Sequence, residues 1–102
     1  MLKFIVIVTI DKKAWWRNAT FPTSKSYYSD LFDTEEDVKE FLKQVDKDFP
    51  DNNMTDFGHN HEWLIRYMNF RVNPQKPDEL EAIKEVANAK KHYDEAKGEC
   101  SL

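Results

Sequence analysis

The sequence predicts a two-layer α+β domain: a small, mainly antiparallel sheet of three or four strands with two helices, in the order β-β-α-β-α. Three observations carry that prediction. Residues 2–10 form an almost unbroken apolar run, residues 33–50 hold a helical apolar stripe between a cap and a proline, and residues 62–72 form a second apolar, aromatic run.

The first run, LKFIVIVTI, is β-branched or apolar at nearly every position. Leu2, Phe4, Val6, Val8 and Ile10 fall on one side of an extended chain, and Ile5 and Ile7 on the other. That pattern suits a central strand covered on part of both faces. Asp11-Lys12-Lys13 reads as a turn, and Asn18, Pro22, Thr23 and Ser24 break regular structure after it. Residues 26–32, SYYSDLF, read as a second strand, antiparallel to the first; a short further strand could lie within 14–23.

The first helix has the clearest limits. Asp33 or Thr34 can cap its start, and Glu35, Glu36 and Asp37 follow where the macrodipole favours negative charge. Val38, Phe41, Leu42, Val45 and Phe49 then make one apolar stripe. Phe49-Pro50 ends it, because the residue before proline avoids the α region. Residues 50–61 read as a polar loop. Residues 62–72 follow as a third strand, with Trp63, Ile65 and Tyr67 on one face and Leu64, Met68 and Phe70 on the other, both part-buried. After a connection at 73–76, Pro77 suits the first turn of a second helix. Leu80, Ile83, Val86, Ala87 and Tyr93 give that helix a weaker stripe to about Gly98. Residues 1–98 are thus expected to make one domain and 99–102 a flexible tail.

Length agrees: 102 residues suit one domain near the lower end of independent stability. A homodimer, seated on a strand edge or the second helix, would bury more surface. The net charge of −4 is unevenly spread, at +3 over residues 1–30, −6 over 31–60 and −1 over 61–102. Such a balance opposes nucleic-acid binding by the surface as a whole. The lone Cys100 excludes an internal disulfide, so nothing marks an oxidising compartment. No stretch is long enough to cross a membrane, and the expected location is the cytoplasm.

Motifs for chemistry are scarce. Gly58 and Gly98 are the only glycines, so there is no phosphate-cradling loop or dinucleotide fingerprint, and no cofactor is expected. No serine has a nucleophile-elbow context, and Cys100 lies in the tail without activating neighbours. Three clusters remain. His59 and His61 have the alternation with which an extended segment can turn two imidazoles toward one metal, with His92 far along the chain. A third and fourth ligand cannot be assigned, and exposed loop histidines account for the same pattern. Trp15, Trp16 and Arg17, among Lys12, Lys13, Lys25 and tyrosines, could stack on single-stranded nucleic acid or form a protein contact. One of those tryptophans could equally pack into the core. Third is the acidic block from Asp30 to Asp56, with Glu36, Asp37, Glu40, Asp48 and Asp51 as candidate contact residues. A solvated helix face is its plainest explanation.

In size, acidity and lack of a catalytic signature the chain resembles the small inhibitors that phages encode against host enzymes and defence systems. The likeness is one of class and rests on no particular residue. It implies a stoichiometric binding protein whose acidic face or Trp15/Trp16 patch meets a protein partner, a host or defence enzyme. The alternatives are a metal-dependent enzyme or metal-binding domain at His59/His61, and a single-stranded nucleic-acid module at Trp15, Trp16 and Arg17.

Overall fold

A computed structural model describes residues 2–12, 25–50, 63–86 and 89–100. Four strands form one mixed sheet in the order β3-β1-β2-β4, and the fold is α+β. The strands are β1 (Lys3–Lys12), β2 (Lys25–Tyr28), β3 (Trp63–Val72) and β4 (Lys91–His92), and the helices are α1 (Glu35–Asp48), α2 (Pro77–Lys84) and α3 (Tyr93–Cys100).

β1 lies between its antiparallel neighbours, and burial follows from that position. It pairs with β3 over its whole length, from Lys3 opposite Val72 to Lys12 opposite Trp63, and with β2 from Ile7 opposite Tyr28 to Ile10 opposite Lys25. Ile5, Val6, Ile7 and Val8 are at most 1% exposed, so both faces of the strand are covered as its apolar run predicts. Val6, Val8 and Ile10 share a face with Tyr27 and Ile65, and the α1 stripe of Val38, Val45 and Phe49 packs there to form the core. Phe49 meets the Trp63 ring edge-on at 4.9 Å. Ile5 and Ile7 face the other way, as does Tyr28, over whose ring Lys84 of α2 stands at 4.6 Å. On that same face Thr9 and Ser26, directly opposite in register, join their hydroxyls at 2.9 Å.

α1 starts and stops where its sequence indicates. Thr34 is the N-cap, its Oγ1 accepting the Asp37 N–H at 3.1 Å, and the Phe49 N–H closes the last turn on the Val45 carbonyl. The β3–α2 connection is a proline turn. The Asn73 side chain accepts the Gln75 N–H, the Asn73 carbonyl accepts the Lys76 N–H, and Pro77 opens the helix.

Three expectations need correction. The second strand is shorter than 26–32: it ends at Tyr28, and pairing resumes only at an isolated bridge between Phe4 and Phe32. Between the 7–28 and 4–32 pairs, two residues of β1 oppose three residues, Ser29, Asp30 and Leu31, which is a β-bulge. Second, β3 is an edge strand whose middle is open, Tyr67 and Met68 being 46% and 45% exposed, rather than part-buried on both faces. Third, the helix expected from Pro77 to Gly98 is two helices. α2 ends at Lys84, and the chain then lays Lys91 and His92 parallel to Tyr27 and Tyr28 before α3 begins. Burying Tyr93 and pairing the outer edge of β2 outweigh the few tenths of a kcal/mol per residue that helix propensity offers. The strand allowed for within 14–23 lies outside the described residues. Among those described, no helix is long and apolar enough to cross a membrane.

Candidate functional site: an acidic cleft beside α1

The bulge creates the first part of the site. With one residue too many, the chain cannot place a carbonyl opposite every β1 amide. Ser29 makes up the difference, its buried hydroxyl accepting the Val6 N–H at 2.9 Å and donating to the Asp30 carbonyl at 2.8 Å. Its own N–H donates to the Val6 carbonyl. The local kink of a bulge re-aims the next side chain, and the Asp30 carboxylate faces β4, where Oδ1 lies 2.7 Å from His92 Nε2.

His92 uses both ring nitrogens. It stands just before α3, and its Nδ1 accepts the Asp94 N–H at 3.3 Å, the office of an N-cap side chain. That contact leaves Nε2 as the protonated nitrogen, so Nε2–H donates to Asp30. The Tyr28 ring meets the imidazole edge-on at 5.4 Å. One residue therefore ties β4 to the bulge and caps the helix that follows.

α1 supplies the opposite wall. Asp37, Glu40, Phe41 and Gln44 lie at i, i+3, i+4 and i+7, the spacing of one helix face. Between that wall and the Asp30–His92–Asp94 group lies a cleft of about 380 Å³, lined also by Phe32 and the edge of Tyr93. Phe32 and Phe41 are 5.5 Å apart between centroids and Phe41 meets the buried Tyr93 edge-on at 5.0 Å, so the three rings pack as one cluster beneath the carboxylates. Asp30, Asp37, Glu40 and Asp94 put four carboxylates on the rim, and no lysine or arginine lines it among the described residues. Glu40 also meets Lys43 at 3.7 Å, an exposed pair one turn along the helix. A second cavity of about 250 Å³, over Tyr28, is lined by Glu81 and Glu85 together with Lys84 and Lys90. Among the described residues the first cleft is thus lined by carboxylates without a lysine or arginine, whereas the second mixes both signs.

The donor set limits the chemistry. Ligand atoms of Asp30, His92 and Asp94 lie within 4.8 Å of one another, close enough to share a cation. A transition metal would need a lone pair from the imidazole, and the Nδ1 lone pair is taken by the Asp94 N–H. Among the described residues, the lining includes no serine, threonine, cysteine or lysine to act as a nucleophile. What the arrangement offers is negative charge beside two half-buried phenylalanine rings.

Of the residues singled out in the sequence, Glu36, Asp37 and Glu40 are exposed on α1, and Asp37 and Glu40 join the cleft. Asp48 turns inward. Only 12% of its side chain is exposed, and it accepts the Tyr93 hydroxyl and the Gln44 amide, each at 2.9 Å, with Lys97 at 4.0 Å. It holds α3 against α1. Trp15, Trp16, Arg17, Asp51, His59 and His61 lie outside the described residues. Asp30 and Asp94 were not singled out as contact residues; the bulge and the β2–β4 pairing bring them to the rim. No family model, curated protein or solved structure matches the chain.

Proposed function

We propose that this protein is a stoichiometric binding protein without chemistry of its own, and that it engages a positively charged surface of a protein partner through the acidic cleft and the adjoining face of α1. One observation carries the reading: the bulge after β2, helix α1 and the start of α3 bring four carboxylates to one cleft that, among the described residues, no lysine or arginine lines. The helix macrodipole accounts for Asp37 and Asp94, each in the first turn of its helix; it does not account for Asp30 and Glu40 lining the same cleft. Such a surface speeds encounter with a basic partner and loses its pull as salt rises. A host or defence enzyme with a basic substrate groove is the kind of partner it fits, the carboxylates standing where the substrate's anionic groups would lie.

The test is capture of a partner from the native host by the wild-type chain and by two variants. The double variant Asp37→Lys/Glu40→Lys should lose the partner, whereas Glu81→Lys, on α2 away from the cleft, should keep it. Equal capture by all three would reject the proposal.

A further inference from the structure

We propose that the outer edge of β3 pairs with the same edge of a second copy of this chain, antiparallel about a two-fold axis at Asn69. β3 runs against β1 for 10 residues without a bulge, and Trp63–Val72 contains no proline, glycine or lysine, so the usual devices that blunt an exposed edge are missing. Among the described residues no strand pairs with that edge. Arg66, Tyr67, Met68 and Asn69 are all exposed in succession. The backbone of Phe4 and Val6 bonds toward β2, so by the alternation of an antiparallel ladder Ile5 and Ile7 bond to Phe70 and Met68. The N–H and C=O groups of Tyr67, Asn69 and Arg71 therefore point outward.

The side chains select the occupant. A foreign strand would draw its specificity from side-chain pockets along the edge, and neither cavity described above is lined by a β3 residue. The stretch complements itself instead. A two-fold axis normal to the sheet keeps each face on its own side. Centred on Asn69, it sets Tyr67 opposite Arg71 of the second copy on the α1 face, and Met68 opposite Phe70 on the other. Those are a cation–ring pair and a thioether–ring pair. Arg71 keeps 66% of its side chain exposed for that contact. An axis on Tyr67 would set the two Arg66 side chains one diagonal step apart, and one on Met68 would carry the ladder to buried Ile65. The chosen register closes about six backbone hydrogen bonds over the outward residues. β3 and β4 are the opposite edges of the sheet, so both acidic clefts stay open. The seam is short, about 20 Å at ~3.3 Å per residue, and its affinity should be roughly micromolar or weaker.

The experiment is sedimentation of the full chain over a concentration series, with amide hydrogen exchange at its two ends. The wild-type chain should show a monomer–dimer equilibrium. With rising concentration the Tyr67, Asn69 and Arg71 amides should gain protection, while the Met68 and Phe70 amides, bonded to β1, are protected throughout. Asn69 is exposed, so charge there leaves the core intact. Asn69→Lys and Asn69→Asp should each weaken association about fivefold or more, because like charges then meet across the axis. An equimolar mixture of the two variants should associate again, lysine facing aspartate. A wild-type chain still monomeric at ~1 mM would overturn the proposal. So would association indifferent to both single variants, or a mixture no better than either alone.

Discussion

The Ser29 hydroxyl stands in for a backbone carbonyl opposite Val6, accepting its N–H at 2.9 Å where the bulge has taken the regular partner away. Val6 is fully buried, so no water can replace that acceptor. Ser29→Ala should therefore cost about 1–3 kcal/mol, the penalty for leaving a buried donor without a partner. Thermal unfolding would show it as a fall of roughly 4–8 °C per kcal/mol in a domain of this size. An unchanged melting temperature would mean that the bulge does not depend on this hydroxyl.

His92 is a clasp whose release should be local. His92→Ala removes both the Nε2–H bond to Asp30 and the Nδ1 cap on Asp94. Amide hydrogen exchange at Lys91 and Asp94 should quicken, while β1 amides, in the middle of the sheet, keep their protection. Uniform loss of protection would show instead that β4 and the rest of the sheet open as one unit.

Thr34 caps α1 from an exposed position, so its loss should be modest. Thr34→Ala should destabilise by about 1 kcal/mol, and Thr34→Ser should retain most of the stability. In urea the midpoint should move with an unchanged slope, because the surface exposed on unfolding stays the same.

Phe49 should be the costliest single truncation of α1's stripe. It is 2% exposed and closes the core against Trp63 at the far end of the helix from the cap. Phe49→Ala should cost about 3–5 kcal/mol, a large share of the roughly 5–15 kcal/mol that holds a domain together. Phe49→Leu, which refills most of the volume, should cost much less, and both are read from denaturant unfolding.

Local chemistry explains which elements were legible. Thr34, the i, i+3, i+4 stripe and Pro50 each act within a few residues, and α1 appears where they place it. β1 and β3 were equally plain, since long β-branched and aromatic runs have few alternatives. The break after α2 was written more faintly. A helix continued past Ala87 would have set Lys90, Lys91 and Asp94 where its apolar face should run, and that gap was the available sign. The cleft was legible by halves. Asp37, Glu40 and Phe41 share a helix face by spacing alone, whereas Asp30 and His92 meet across 62 residues of chain. Their meeting depends on a bulge and a two-residue parallel pairing, which no local periodicity encodes. The Ser29-Asp30 pair, polar residues interrupting an aromatic strand, was the one mark of the bulge.

The clasp also fixes an order of events during synthesis. β1, β2, α1 and β3 all precede the segment that carries His92 and Asp94. A chain emerging from the ribosome at about 5–20 residues per second can assemble most of its sheet before that segment is free. The cleft gains Asp94, and Asp30 gains its His92 partner, only when residues 92–94 arrive and dock on the bulge.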